Sequence, residues 1–379
     1  MRSGIFIFYD SEGIADEYIF YLLNSLKDFL DYLMIVCNGK VDAKSRQRFE
    51  KYANVLLVRE NRGYDAGAYK EAIYMMKKNG ILNRTDELLL FNDTFYGPLY
   101  PWNDFFSFAE KSSADYIGIT MHKETVLEDG EILPEHIQAY FMLIKSLFLH
   151  SEEFERFWKN LKEPRTYEEA VHGFEIPFSV MCLKSKYRYE AYTNLDKLTD
   201  IKNKNVIPYL YYNMELIKKQ KMPTLKIKAV QFQNVGFCNT LDAIEYIKNN
   251  LAYDMSYISE HIKRKSNEKT FFSVINFVKL NKFVLQHNNI YIYGNGKYGE
   301  RVQRYFKKLS YKFNGIVVST KENDKKNGEI LYSTLRLEKN DGIIIALGEK
   351  NAKEVYEVLK KDLDSTQILM PDFDVQEKT

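Results

Sequence analysis

The stretch VLLVRENRGYDAGAYKE, residues 55–71, together with LLLFNDTFYGP at 88–98, decides how this chain folds. Each opens on an apolar run, VLLV at 55–58 and LLLF at 88–91, and each run ends in polar residues and glycine. Buried strands that stop in such clusters are what an α/β sheet presents where its strand ends line a ligand crevice. The first cluster supplies Asn61, Arg62, Gly63 and Asp65, which can hydrogen-bond a ribose or a phosphate, and Gly67 leaves room for close backbone approach. The second supplies Asn92 and Asp93. A carboxylate beside an amide at a strand end suits a hard cation such as Mg²⁺, usually held by one or two carboxylates plus substrate phosphates. Together the clusters point to a nucleotide-sugar site.

On both sides of this stretch strand and helix patterns alternate. GIFIFYD at 4–10 reads as a strand, followed over roughly 14–31 by a helical pattern in which Ile19, Leu22, Leu23 and Leu26 recur at helix spacing. LMIVCNG at 33–39 returns as a strand closed by the turn signal Asn38-Gly39. A helix near 42–52 leads to VLLVREN, one from about 65 to 78 leads to ELLLFNDT, and one near 102–112 leads to DYIGIT at 115–120. Strands separated by helices need crossover connections, so a largely parallel sheet is expected, with its ligand side beyond the strand ends. Tyr9, Asp10, Asn38, Asn61, Arg62, Gly63, Asp65, Asn92 and Asp93 fall there and are the candidate donor-binding residues.

From 134 the texture reads as mostly helical, with HIQAYFMLIKSLFLHSEEFERFWKNL at 136–161 apolar on more than one face and so packed on two sides. TYEEAVHGFEIPFSVMCLKSKY at 166–187 adds Glu168, Glu169, His172 and Glu175 as acid/base candidates. Residues 205–230 read as the edge of the same domain, and 241–265 as helices with a polar exit. The expected layout is a domain over 1–265, a linker over 266–287 and a second α/β domain over 288–379. In the latter, NIYIYGNGKYGERVQRYFKKL at 289–309 is strand, glycine turn and helix, with Gly294, Gly296 and Gly299 in GxGxxG spacing. NGIVVS at 314–319, GIIIAL at 342–347 and the helical KNAKEVYEVLKKDL at 350–363 complete a small Rossmann-like unit whose helix N-terminus could accept a pyrophosphate. Where a dinucleotide fold wants an acidic residue for the ribose, this chain has Ser319-Thr320, which argues against NAD. Nucleotide binding and a purely assembly role both stand open for this unit.

The chain has 379 residues, suiting two domains, and 45% of them are hydrophobic, ample for large cores. Lys+Arg 54 against Asp+Glu 52 gives no basic surplus for a nucleic-acid partner. The 29 Tyr and 25 Phe could stack on sugars and bases, but an aromatic-rich core explains them as well, so the count alone marks no site. Cys37, Cys182 and Cys238 are odd in number and form no CxxC, which indicates neither a disulfide framework nor a zinc site and fits a reducing compartment. With no signal-peptide pattern and no apolar run of about 18 residues, a cytoplasmic location is expected. The basic segment HIKRKSNEK at 261–269 reads either as a solvated linker or as a peripheral contact with anionic lipid at the inner face of the cell membrane.

NRGYDAGAYKEAI, LLFNDTFYGPLYP, HIQAYFMLIKS with SEEFERFW, the GFEIPFS segment and MELIKKQKMPTLK together resemble the rhamnan synthesis protein F family of bacterial polysaccharide glycosyltransferases. The resemblance covers roughly residues 1–265, and the tail from about 288 lies outside it. It implies a GT-A-like fold, a nucleotide-activated donor, often dTDP-rhamnose, and a growing glycan or lipid-linked glycan as acceptor. Enzymes of the GT-A type carry an Asp-any-Asp metal motif; here the strand end reads Asn92-Asp93-Thr94, so Asp93 alone is the candidate ligand for Mg²⁺ or Mn²⁺ bound through the donor diphosphate. Its other reading is a carboxylate capping a turn.

Transfer of a glycosyl group needs the leaving diphosphate stabilised, and an inverting reaction also needs a base for the acceptor hydroxyl. Glu175, inside the GFEIPFS segment, is the first choice of base, with His172 and Asp65 in reserve; a helix N-terminal carboxylate is the alternative for Glu175. His136 and Gln138 are read as opening a helix, where they would meet acceptor hydroxyls or cap the backbone. Beside the glycosyltransferase, two other classes stand open: a non-catalytic sugar-nucleotide-binding scaffold or regulator, and a nicotinamide-dependent sugar oxidoreductase, which Ser319 disfavours.

Overall fold

Strand β1 (Arg2–Phe8) shows why the main sheet has two apolar layers. Alternate strand residues point to opposite faces, so Ile5 and Ile7 join one core cluster while Phe6 and Phe8 turn the other way onto the Phe49 ring, with ring centroids 6.4 and 5.1 Å apart. The computed structural model describes residues 1–126, 132–199, 207–230, 237–265, 277–308, 311–319 and 328–370. Thr320 and the 266–269 part of the basic segment lie outside the described residues. After β1 come α1 (Glu17–Leu26), β2 (Tyr32–Asn38), α2 (Ala43–Phe49), β3 (Val55–Arg59), α3 (Tyr64–Lys78), β4 (Glu87–Asn92), β5 (Phe95–Tyr96), α4 (Trp102–Lys111) and β6 (Tyr116–Gly118). Four short strands, β7 (Met121–His122), β8 (Thr125–Val126), β9 (Ile132–Leu133) and β10 (His136–Ile137), precede β11 (Phe141–Lys145). Then follow α5 (Ser146–Leu149), α6 (Glu152–Asn160), α7 (Tyr167–Ala170), a π-helical turn Val171–Glu175, α8 (Ile176–Lys184) and β12 (Tyr189–Ala191). Helices α9 (Pro208–Tyr211) and α10 (Asn213–Gln220) lead to β13 (Leu225–Lys226), α11 (Ile227–Val230), α12 (Phe237–Asn250) and α13 (Ser256–Lys265).

Seven strands form one sheet in the order β12-β6-β11-β4-β1-β2-β3. Neighbours are parallel except at β11, which is antiparallel to both β4 and β6. On the Ile5 face α3, α6 and α8 supply Tyr69, Trp158 and Phe178. On the other, Phe49 of α2 meets Phe20 of α1, and Trp102 of α4 stacks on Phe141 at 4.5 Å. This is the mostly parallel α/β sheet with helices on both faces that the alternating pattern led one to expect.

The helical reading of 136–161 is corrected: β10 and β11 occupy its first part, and helix resumes only at α5 and α6. Phe141–Lys145 is buried on both faces, in contact with strands on both sides, so its apolar run carries no period-2 signature and looks like buried helix from sequence alone. His136 therefore sits in a strand and Gln138 just after it, neither opening a helix.

One orphaned group in this core yields a stability prediction. The Tyr69 hydroxyl is buried with no hydrogen-bond partner among the described residues, its ring set against Trp158 and Phe174. Tyr69→Phe is expected to stabilise the fold by about 1 kcal/mol, since it removes a buried unpaired polar atom and keeps the ring. A thermal melt showing the variant less stable than wild type would mean that the hydroxyl has a partner.

Two compact units emerge: Met1–Ala229 with Asp242–His261, and Val230–Leu241 with Ile262–Thr379. The second holds α14 (Phe277–Gln286), β14 (Asn289–Tyr293), α15 (Lys297–Lys308), β15 (Gly315–Val318), β16 (Glu329–Leu331), β17 (Asp341–Ile345), α16 (Glu349–Leu359) and β18 (Ile368–Leu369). Its five described strands are all parallel in the order β16-β15-β14-β17-β18, a small Rossmann-like sheet. The stretch 266–287 read as a linker includes α14, whose Leu280 and Phe283 enter this unit's core. No described helix is long and apolar enough to cross a membrane.

Candidate functional site

The register of the parallel strands brings their carboxyl ends level. Ile7 pairs with Asn92, Phe8 with Cys37 and Asn38 with Arg59, so Tyr9, Asn38, Asn61 and Asn92-Asp93 leave the sheet along one edge. Side chains then tie these ends together. Asn92 Nδ2 donates to Asp65 Oδ2 at 2.7 Å, and the Tyr9 amide donates to Asp93 Oδ2 at 2.8 Å. Asn38 Nδ2 donates to the Tyr64 carbonyl at 3.3 Å. Asp10 Oδ1 accepts from the Glu12 and Ile14 amides and so shapes the loop after β1.

Between β3 and α3 the backbone turns sharply. Gly63 has φ +72° and Tyr64 φ +50°, both left-handed; a Cβ on Gly63 would lie 3.0 Å from Gly67 Cα, so the turn needs glycine there. Arg59, buried at the strand end, holds this turn by donating to the Arg62 carbonyl at 2.8 Å and pairing with Glu71 at 2.7 Å. The N-terminus of the fifteen-residue α3 thus opens onto a cavity of about 1340 Å³. Tyr9, Asn38, Asn61, Arg62, Gly63 and Asp65 line it from the strand side, and Lys162, Arg165, Glu169, His172 and Gly173 from the other. Ligand pockets commonly run to ~300–1,000 Å³, so this space is ample for a small-molecule ligand. A second cavity of about 550 Å³, with Arg156, Phe157 and Asn160 in its wall, shares Lys162 and Gly173 with the first.

Asn92 and Asp93, 4% and 8% exposed, stand behind Asp65 rather than in the cavity wall. Burial pushes the Asp93 carboxyl up to about 8, and Asp65 and Asp10 push it the same way against the Tyr9 amide. Burial also raises Asp65, opposed by its hydrogen bond from Asn92 and by Lys226. Lys226 is driven down to about 7 by burial, while Glu175, Asp65 and Asp93 oppose the shift. That lysine closes the segment MELIKKQKMPTLK at 214–226, where no local feature assigns it a role.

Glu175 ends the π-helical turn that also carries His172 and Gly173. Such turns recur at functional sites. Its Oε2 accepts from the Ala139 amide at 2.7 Å and its Oε1 lies 3.4 Å from His136 Nε2, so it clamps the β10–β11 turn. Of the three candidate bases, Asp65 and His172 face the cavity and Glu175 does not line it. His136 is buried, with Nδ1 against the Pro134 carbonyl and its ring stacked on His122 at 5.3 Å. Gln138 is buried too, accepting from Thr120 Oγ1 at 2.7 Å. Neither lines either cavity.

Asp65 and Asp10 act on Asp93 from nearby, but the three do not converge on one point where a cation could sit. Asp93 and Asp65 each engage one oxygen in the bonds above, and among the described residues no group of three His, Cys, Asp or Glu could hold a metal ion. The carboxylates do not build a cation site by themselves. In the second unit Gly294 and Gly299 serve the fold: a Cβ on Gly299 would lie 2.0 Å from the Gly294 carbonyl oxygen, whereas Gly296 has nothing within 4 Å. Ser319, at the end of β15, is hydrogen-bonded to the Tyr293 hydroxyl at 2.7 Å.

Strand order defines the class: a doubly wound α/β protein, here with a large cavity beyond the carboxyl ends of its parallel strands. The chain belongs to the rhamnan synthesis protein F family, whose model matches residues 33–365. The match runs well past residue 265, so the tail lies inside the family pattern and not outside it. A curated relative, "Uncharacterized protein y4gN" of Sinorhizobium fredii, is 23% identical over 55% of this chain and 54% of its own length, so the chain spans about half of that relative. Among solved structures, 4-diphosphocytidyl-2C-methyl-D-erythritol synthase from Anaerococcus prevotii is similar at 10% identity and TM-score 0.34, covering 50% of this chain and 85% of that one. The mannosyltransferase Ktr4p of S. cerevisiae is similar at 11% identity and TM-score 0.29, covering 47% and 65%. The fold assignment rests on the sheet itself and not on these distant likenesses.

Proposed function

We propose that the protein is a glycosyltransferase that moves a sugar, rhamnose in the first instance, from a nucleoside-diphosphate donor such as dTDP-rhamnose to a growing bacterial surface polysaccharide. Family membership supports a sugar-transferase function in polysaccharide synthesis. The observation that carries the reading is the Asn92–Asp65 hydrogen bond at the wall of the large cavity, which joins the two polar strand-end clusters into one site. The exposed Tyr9 ring offers a stacking face for the base. The α3 N-terminus with Arg62, Lys162 and Arg165 meets the diphosphate.

In this reading Asp65, not Glu175, is the base. It faces the cavity, and burial raises its proton affinity toward the range where a general base works best. Glu175 and His136 hold the β10–β11 turn behind it. The acceptor, a glycan or lipid-linked glycan, enters through the second cavity, where Phe157 offers an apolar face and Arg156 and Asn160 offer hydrogen bonds. No step runs through a metal ion.

The test is a panel of nucleotide sugars. A donor that binds only the folded protein raises its melting temperature, and dTDP-rhamnose is expected to do so more than UDP- or GDP-sugars and to yield transferred or hydrolysed rhamnose. Binding without transfer or hydrolysis would support the scaffold reading instead.

A further inference from the structure

Lys226 is the most conspicuous charge to which no local feature of the sequence assigns a role. It is 8% exposed, and its position is fixed by main-chain bonds: β13 pairs with β5, Lys226 opposite Phe95, and the Ile227 amide donates to the Thr94 carbonyl at 3.1 Å. The ammonium donates to Thr94 Oγ1, the residue next to Asp93, and stands 4.2 Å over the Tyr140 ring. Thr94 Oγ1 in turn donates to Asn92 Oδ1, so ammonium, hydroxyl, amide and Asp65 carboxylate form one chain reaching the cavity wall. An ammonium has three N–H donors, and only the bond to Thr94 is present among the described residues. Asp65, Asp93 and Glu175 all act on it electrostatically, yet no described carboxylate lies within the 4 Å of an ion pair. A buried charge left without a direct counter-ion is expensive, so the ligand-free amine is driven toward its neutral form and a nearby anion would draw it back to the charged one.

We propose that Lys226 supplies, at the end of β4, the positive charge that the departing nucleoside diphosphate requires, in the place where a bound divalent cation would stand. The inference rests on the glycosyltransferase reading. In the step, the bond between the anomeric carbon and the leaving phosphate oxygen breaks, and its electron pair departs on that oxygen, whose charge Lys226 offsets from behind the Thr94–Asn92–Asp65 chain. The acceptor hydroxyl oxygen forms the new bond to the anomeric carbon, and its proton goes to Asp65. A diphosphate in the cavity beside Asp65, to which Lys226 is linked through Thr94 and Asn92, favours the charged form of the amine. Glu175, Asp65 and Asp93 favour the charged amine from a distance, and none of them touches it. Thr94 aims it.

Two measurements test this, one of which needs no variant. Wild-type turnover of the nucleotide sugar, and calorimetric affinity for the nucleoside diphosphate alone, are expected to be unchanged by EDTA. Lys226→Met is expected to lower turnover about 10²- to 10³-fold, the range for losing one preorganised charge-stabilising donor, and to weaken diphosphate binding while melting near wild type. Lys226→Ala, which leaves space, should regain turnover with added methylammonium or ethylammonium. Loss of wild-type turnover in EDTA with recovery in Mn²⁺, or full turnover in Lys226→Met, overturns the assignment. If wild type neither binds a nucleoside diphosphate nor consumes any nucleotide sugar, the glycosyltransferase reading itself fails and takes this inference with it.

Discussion

Asp65→Asn is expected to lower kcat by about 10²- to 10⁴-fold, the usual contribution of a positioned general base, while nucleotide affinity stays within a few-fold of wild type. The substitution is conservative for the fold. The oxygen of the new side-chain amide can still accept from Asn92 Nδ2, and the Gly63 turn is untouched. What disappears is a carboxylate oxygen at the cavity wall that can take a proton while the strand-end network holds it in place. Because burial raises the Asp65 carboxyl, the acid limb of kcat/KM in wild type should lie above the ordinary carboxylate range. Glu175→Gln is the companion control. Its amide oxygen keeps the bond from the Ala139 amide and its amide nitrogen can donate to His136 Nε2, so the turn survives and the loss of rate should be far smaller. Equal losses in both variants, or none in Asp65→Asn, would return the base to Glu175 or His172.

Asp93→Asn is expected to stabilise the ligand-free protein at neutral pH and to leave it nearly unchanged in acid. The folded-state carboxyl is raised to about 8, from about 3.9 in the unfolded chain, so the folded protein holds the proton more tightly. The stability linked to this group is fully present below the unfolded value and is lost as pH rises through the folded one. Each unit is worth about 1.4 kcal/mol, so wild type should lose at most ~3 kcal/mol between pH 5 and pH 7 through this group, and the variant should not. Lys226 works in the opposite sense at higher pH: lowered to about 7, it adds stability as pH rises from there toward the ordinary lysine value. Urea titrations at pH 5, 6 and 7 separate the two. A wild-type stability that runs parallel to the variant's over that window would show that Asp93 is ionised in the folded protein.

The amino-terminal half of the main sheet was legible because each of its strands announces itself locally. VLLV and LLLF are bounded by turn chemistry, and α1 and α3 lie between strands with helix-spaced apolar residues. Phe141–Lys145 was not legible, because a strand inserted antiparallel between β4 and β6 is apolar on both faces and takes its identity from neighbours distant in sequence. The site divides in the same way. Asn61 to Asp65 and Asn92-Asp93 could be found because they follow their strands directly, and parallel pairing brings such ends together. Lys226 could not. It lies 132 residues beyond Thr94 and is set apart by burial within the field of Glu175, Asp65 and Asp93, which no local pattern encodes even though it ends the family-like MELIKKQKMPTLK segment. His136, Gln138 and Glu175 were noticed for their chemistry, but that chemistry is directed at one another and at the backbone of a turn that the helical reading had hidden.

The carboxyl edge of the amino-terminal sheet as the seat of an activated sugar's diphosphate is the claim on which the rest depends. The most direct measurement is a crystal structure of the full chain soaked with dTDP-rhamnose or dTDP. The diphosphate is expected against Asn61, Arg62 and Lys162 at the start of α3, with its base against Tyr9. Nucleotide bound instead against Gly296 in the second unit, with the cavity beside Asp65 empty at saturating ligand, would contradict it.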